Sequence, residues 1–422
     1  MLGLVPSAFF VRKVGLAMVK EYQCKNGVRI VEERMMNTRA VAIGIWVRAG
    51  SRYETPAENG ITHFIEHMLF KGTATRSAKD IAETFDVIGG DLNAFTARDN
   101  TCYHATVLDE HAQLAIEVLA DMFFNSAFDT EAIEREKQVV YEEIAMDEDT
   151  PDEYMADHFW RALFPNQALG APILGTKETL ATFNQQMIKA YMAAHYLPEN
   201  IVISIAGNSN AELIALIEQK FGVFEATATL AKSTPPVMAT TNITLTKEVE
   251  QAQLMIAYPS LTRSAKNSAC LTVVDTIIGG ITSSRLFQKV REERGLAYTI
   301  YSYPTTYYDT GVWTVYCATQ PHQLEQVQQV IEQVLTDIAV HGVTNEEVTR
   351  AKMHLQGSFV LNLESAEAHM QRNGEIFLNH LTHYDVDEVL LRLKRITTAE
   401  INEVAQAMLQ HTPSIATMIK EA

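Results

Sequence analysis

The sequence predicts an α+β protein made of two homologous domains, each a largely antiparallel sheet with helices packed on it. Three observations carry that prediction. Strand-like and helix-like segments alternate in blocks without a strict one-to-one βα order, which argues for α+β layers. A stretch in the first half, "FDTEAIEREKQVVYEEI" (128–144), aligns without gaps on "VTNEEVTRAKMHLQGSF" (343–359), and "FDVIGGDLNAFT" (85–96) is echoed by "VDTIIGGITSSRLF" (274–287). Between the copies, "EATATLAKSTPPVMATTN" (225–242) is rich in Ala, Thr and Pro, and its Pro pair favours an extended linker. The expected division is an extension over 1–17, a first domain over 18–224, a linker over 225–242 and a second domain over 243–422.

Taken in order, the first 17 residues place Arg12 and Lys13 after an apolar stretch, the reverse of a secretory signal. They read as an extension ahead of Met18, with a short presequence as the other reading. "VRIVEERM" and "VAIGIWVRAG" are rich in Val and Ile and flank a polar break, so a hairpin is expected. "SAKDIAETFDVIGG" has the Ser N-cap, the spacing of Ile81, Phe85 and Ile88, and the terminal glycines of a helix. "DLNAFTARDNTCYHATVL" returns to strand character and "DEHAQLAIEVLADMFF" to helix. The acidic run "MDEDTPDEY" (146–154) reads as a solvated loop.

Composition narrows the function. The 422 residues are 47% hydrophobic and 20% charged, an ordinary globular balance. No run approaches the roughly 18 apolar residues that a membrane span requires. The four cysteines are far apart with no CxxC pair, which suggests neither a disulfide framework nor a sulfur-ligated zinc site and favours a reducing compartment. A net charge of −18 repels nucleic acid and anionic membrane surfaces and favours cationic partners.

The chemistry concentrates in "GITHFIEHMLFKGT". Residues four apart on a helix lie one above the other, so His63 and His67 project from one face and can reach a single ion, with Glu66 placed to contact a metal-bound water. Neutral imidazole suits zinc, and a catalytic zinc takes three protein ligands and leaves one position open. The third ligand must come from another element. "EREKQVVYEEIAMDED" offers Glu136 and Glu143, two helical turns apart on one face with Val140 and Ile144 beside them. On spacing alone, a solvated glutamate-rich surface is the ordinary reading. The repeat changes that: Ala351 and Ser358 stand at the equivalent positions, while Arg135 and Lys137 are matched by Arg350 and Lys352. The second copy lacks both glutamates and the His-x-x-Glu-His pattern, so metal chemistry belongs to the first. No serine elbow or cysteine signature competes.

"HFIEHMLFKGT", followed by a glutamate 76 residues after the second histidine, resembles the inverted zinc motif of the pitrilysin and insulinase peptidases, and most of all the β-subunit type of mitochondrial processing peptidase and its short bacterial relatives. The resemblance extends from about Tyr22 onward through "NGVRIV", "AGSRYE", "LNAFTARDNTCYHATV", "VVYEEI" and "SSRLFQKVREERGLAYTIYS". It implies one zinc per chain held by His63, His67 and Glu143, Glu66 as general base on the attacking water, and Glu136 orienting a ligand histidine. It also implies that Arg291 and Tyr298, of "VREERGLAY", donate hydrogen bonds near the scissile carbonyl. Asn93 and Ala94, of "LNAFT", would bind peptide by strand addition.

The activity implied is zinc-dependent hydrolysis of unfolded peptides or presequence-like segments. The chain would form half of a clam-shell chamber closed by a second copy, as a homodimer. Basic peptides suit the acidic run. A bacterial cytoplasm is the expected location, with an organellar matrix as the alternative. The competing class is a catalytically silent structural or binding subunit.

Overall fold

The computed structural model describes residues 12–13, 19–225 and 234–420. Apart from Arg12 and Lys13, the expected extension over 1–17 lies outside the described residues, as does the 226–233 part of the expected linker. From the N-terminus run strands β1 (Arg12–Lys13), β2 (Val19–Gln23), β3 (Arg29–Arg34) and β4 (Ala40–Val47), helices α1 (Ile61–Leu69) and α2 (Ala78–Ile88), and strands β5 (Asp91–Thr96) and β6 (Thr101–Leu108). Helices α3 (Ala112–Asn125), α4 (Thr130–Asp149), α5 (Pro151–Leu163), α6 (Lys177–Thr182) and α7 (Gln185–His195) precede β7 (Ile201–Gly207) and α8 (Ala211–Phe221). The remainder is β8 (Asn242–Thr246), β9 (Ala252–Pro259), α9 (Ser268–Asp275), β10 (Ala297–Thr306), β11 (Gly311–Thr319), α10 (Leu324–His341), α11 (Asn345–Leu361), α12 (Ala366–Leu378), α13 (Val386–Arg395), α14 (Thr398–Leu409) and β12 (Ser414–Ile419).

The chain forms two compact units, and they are not simply its two halves. The first comprises Met1–Ala145, Ala171–Ser233 and Leu361–Asp385, and the second Met146–Gly170, Thr234–Val360 and Val386–Ala422. A break at 225–242 alone therefore does not separate them.

The first unit carries a seven-stranded sheet in the order β1-β2-β3-β7-β4-β6-β5, antiparallel except for β3 beside β7. The expected hairpin of β3 with β4 does not form. All seven residues of β7 are buried, and a strand apolar on both faces belongs at the centre of a sheet, so β7 separates the two. Side chains alternate across β4: Val41, Ile43, Ile45 and Val47 join a core under α1, α3 and α8, while Ala42 and Trp46 join another under α12. Glycine lets α12 approach closely. A Cβ on Gly374 would lie 2.0 Å from Nε1 of Trp46, and one on Gly44 would lie 2.3 Å from Sδ of Met370.

The second unit has a five-stranded sheet, β10-β11-β9-β12-β8, antiparallel except for β12 beside β8. Leu254, Ile256, Trp313 and Val315 face a core shared with α9, α10 and α14. Met255, Ala257 and Tyr316 face α5 through Met155, Phe159 and Leu163. Each sheet is thus covered on one face by a helix from the opposite half of the chain.

The repeat is visible residue by residue. Helix α4 starts at Thr130 and α11 at Asn345, the same offset as the aligned sequences. Nζ of Lys137 donates to the carbonyl of Ala181 in the last turn of α6, at 3.2 Å, and Nζ of Lys352 donates to the carbonyl of Lys394 in the last turn of α13, at 3.1 Å. A cation at a helix C-terminus satisfies orphan carbonyls and complements the dipole. The glycine pairs differ. Gly89 is the left-handed cap of α2, and β5 follows at Asp91, whereas Gly279 and Gly280 close a π-helical turn (Thr276–Gly280) and the next strand begins only at Ala297. The acidic run at 146–154 is also not a loop: α4 extends to Asp149 and α5 begins at Pro151, because proline is well tolerated in a first helical turn.

Candidate metal centre

Helix α1 buries Ile61, Phe64, Ile65, Met68 and Leu69 against the first sheet, and that apolar stripe turns His63, Glu66 and His67 the other way. Helix α4 buries Ile133, Glu136, Val140 and Ile144 on one face, as the seven-residue spacing requires. The two helices bring three donors together. Nε2 of His63 lies 3.7 Å, and Nε2 of His67 3.5 Å, from Oε2 of Glu143, and the three ligand atoms all fall within 4.8 Å of one another. Donors at zinc–ligand distances of about 2.0–2.1 Å in a tetrahedral arrangement stand on the order of 3.4 Å apart. The two nitrogens and one carboxylate oxygen therefore fit a zinc ion in both chemistry and spacing. Among the described residues this is the only such group of three.

The surroundings prepare the donors. Burial, with His67 beside it, pushes His63 down to about 3, keeping the imidazole in its neutral, ligating form. Nδ1 of His67 lies 2.8 Å from Oε1 of Glu136, whose Oε2 lies 2.7 Å from Nζ of Lys71. Burial opposes a charge on His67, but the bond to Glu136 and the nearby carboxylates outweigh it and raise its pKa. Burial likewise acts to raise Glu136, and its bonds to His67 and Lys71 prevail, holding it below the usual range.

Glu66 is not one of the three donors. The hydroxyl of Thr96, at the end of β5, donates to its Oε2. Burial raises the Glu66 pKa, with that hydroxyl acting in the opposite sense. A carboxylate shifted upward is better matched to accepting a proton near neutrality.

Asn93 and Ala94 lie on β5, the edge strand of the first sheet. Ala97 donates to the carbonyl of Asn100 where β5 turns into β6, so alternation along the antiparallel ladder points the Ala94 N–H to the free edge. There it donates to Oδ1 of Asn93, 2.8 Å away.

Arg291 and Tyr298 belong to the second unit, where they form a pair of their own. Arg291 sits in the π-helical turn Phe287–Glu292, and its Nη1 donates to the Tyr298 carbonyl at 2.9 Å. Its guanidinium carbon stands 4.3 Å from the Tyr298 ring centre and 4.7 Å from that of Phe287, and Tyr298 is 74% exposed. A cation and a phenol stacked in this way present donors to solvent together.

Three contributors escape a reading by spacing. Lys71 and Thr96 lie inside "HMLFKGT" and "LNAFT" but show their partners only in three dimensions. Glu54, of "AGSRYE", is 6% exposed and accepts from the backbone N–H of Gly60 and Thr62 at the start of α1. Burial pushes it up to about 7 against those donors.

The profile of the family described as "Insulinase (Peptidase family M16)" matches residues 29–177, and that of the "Peptidase M16 inactive domain" matches residues 182–355. The Bacillus subtilis protein named "uncharacterized zinc protease YmxG" is 45% identical over 94% of this chain and 98% of its own length. A Streptomyces coelicolor protein named "uncharacterized zinc protease SCO5738" is 38% identical over 95% of this chain and 90% of its own. Among solved structures, a protease from Helicobacter pylori superposes with a TM-score of 0.88 at 20% identity, covering 97% of this chain and all of the other. A Pseudomonas fluorescens structure described as a peptidase M16 inactive domain gives the same score at 19% identity, covering 96% of this chain and 98% of the other. At these identities the two structures speak for the fold.

Proposed function

Because the chain belongs to the insulinase family of peptidases, family M16, we propose that it is a zinc-dependent endopeptidase acting on unfolded peptides or presequence-like segments. The observation that carries this reading is the convergence of His63, His67 and Glu143, with Glu66 next to His67 on α1 and within electrostatic reach of His67 and Glu143. When bound there, one zinc per chain supplies Lewis acidity, polarising a peptide carbonyl and acidifying water. Glu66 accepts the proton of the attacking water and passes it to the leaving amine, with the Thr96 hydroxyl holding its carboxylate in place. Glu136 fixes the Nδ1–H tautomer of His67. The substrate adds as a strand along β5, displacing Oδ1 of Asn93 from the Ala94 N–H. Arg291 and Tyr298 donate to the carbonyl oxygen on which negative charge develops.

The net charge of −18 supports a preference for basic peptides. The family reading adds a homodimer that encloses its substrate, and a bacterial cytoplasmic location. No described helix is long and apolar enough to cross a membrane. The intact donor set and Glu66 count against a silent subunit.

The test is digestion of an unstructured basic peptide pool, read by mass spectrometry, beside a chelated sample and a Glu66→Gln variant. Cleavage that disappears in both controls is the expected result. Cleavage that persists in either, or none by the parent with any divalent metal, overturns it.

A further inference from the structure

We propose that Glu54 is the positioning residue of the metal helix: its carboxyl group sets where α1 begins and so where His63 and Glu66 point. The proposal rests on the zinc reading above and goes beyond it, since Glu54 touches neither the donors nor Glu66.

A helix start leaves its first backbone N–H groups without intrahelical partners, and a Ser, Thr, Asp or Asn at the N-cap ordinarily supplies an acceptor. Helix α1 has none. Its N-cap is Gly60, in the left-handed region at φ 92°, with no side chain to offer. Glu54 supplies the missing acceptors from six residues upstream: Oε2 accepts from the Gly60 N–H at 2.7 Å, and Oε1 from the Thr62 N–H at 2.9 Å. Oε2 also accepts from Nδ2 of Asn59 at 3.0 Å, and Nδ2 in turn donates to the carbonyl of Pro172 at 2.9 Å.

The other side of the helix start is fixed by backbone. A Cβ on Gly60 would lie 2.6 Å from the Leu174 carbonyl oxygen and 2.7 Å from Cα of Gly175, and one on Gly175 would lie 2.4 Å from the Asn59 carbonyl oxygen. A carboxyl group on one side and an unyielding backbone contact on the other leave α1 a single register. His63 follows Thr62 directly, and Glu66 lies one turn on. A one-residue slip would rotate both by about 100°, whereas a site of this kind tolerates an error of about 0.5 Å.

A cap that served only the fold would lower stability and leave metal binding alone. The experiment therefore reads both, using Glu54→Gln and Glu54→Asp beside the parent. Zinc affinity is taken from competition with a chelator, geometry from the visible spectrum with cobalt in place of zinc, and folding from thermal melts. In Glu54→Gln one acceptor oxygen becomes a donor facing another donor. Zinc affinity is expected to fall at least about tenfold, in the range seen when supporting groups around a metal are lost, with a shifted cobalt spectrum. Glu54→Asp keeps the charge on a shorter arm and is expected to fall between parent and Gln variant; if the Gln variant does not fold, it alone decides. Parent-like zinc affinity and cobalt spectrum in every folded variant, with only the melting temperature lowered, overturns the proposal while leaving the zinc reading intact. A parent chain that takes up no zinc overturns both.

Discussion

Glu136 bridges His67 and Lys71, with one carboxylate oxygen 2.8 Å from Nδ1 of the histidine and the other 2.7 Å from Nζ of the lysine. Donation from Nδ1–H leaves the Nε2 lone pair aimed at the other two donors. Glu136→Ala is expected to weaken zinc binding by about 10–100-fold. Lys71→Met, which keeps the carboxylate but removes its cation, should weaken it less. Chelator competition at fixed pH orders the two, and an affinity unchanged in both would show the bridge to be idle.

Thr96 should matter to turnover and not to the metal. Its hydroxyl donates to Glu66 and to none of the three donors. Thr96→Val keeps the side-chain shape and removes a hydrogen bond to a charged group, worth about 1.5–3 kcal/mol. A fall in kcat of about tenfold with unchanged zinc affinity is expected in steady-state peptide assays.

Arg291 and Tyr298 act in the proposed reaction as donors to developing negative charge. Tyr298→Phe and Arg291→Lys are each expected to lower kcat by about 10²–10³ with KM little changed. Arg291→Lys also loses a planar group stacked on two rings, which an ammonium does not replace. A change confined to KM would assign the pair to uniform substrate binding instead.

The second unit carries an acid-sensitive pair. Burial acts to raise Glu347, but the Arg285 guanidinium, at 2.6 and 2.9 Å, and the Thr344 N–H hold it down to about 2. Its folded pKa lies below the ordinary value of 4.5, so the stabilisation is present above pH 4.5 and is lost as pH falls toward 2. Discounted for solvent screening, it amounts to about 1–2 kcal/mol. Glu347→Gln should be less stable than the parent at pH 7, and that gap should close on acidification in denaturant titrations.

Gly374→Ala tests the contact of α12 with the first sheet. The added methyl would meet the buried Trp46 ring at 2.0 Å, and overpacking of this kind costs about 1–3 kcal/mol. A lower melting temperature with altered tryptophan fluorescence is the expected outcome.

Much of this was legible in the sequence because it depended on period. The pattern of α1 placed two histidines on one face, and the spacing of Glu136 and Glu143 placed both on the side of α4 that meets those histidines. The repeat added contrast. Glu136 is buried, and so is Ala351 at the equivalent position of α11, so a carboxylate has been placed where its copy holds only a methyl group. What escaped depended on distance along the chain. The break between β3 and β4 resembled a hairpin, yet β7, some 150 residues later, takes the place between them. Glu54 gave no signal because an N-cap is sought at the helix start and not six residues before it. The ownership of α5 and α12 followed from which sheet face stood bare, which periodicity does not reveal.

That exchange of helices bears on how the protein is made. The first sheet is complete once β7 has been synthesised, but the helix that covers Ala42, Trp46 and Val202 begins at Ala366, about 160 residues later. At translation speeds of about 5–20 residues per second, that apolar face waits roughly 10–30 s for its cover. A nascent chain stalled after β7 would thus present a finished sheet with one side unclothed, a natural client for chaperones. For the same reason, cutting the gene at the linker would yield two fragments, each missing a helix held by the other.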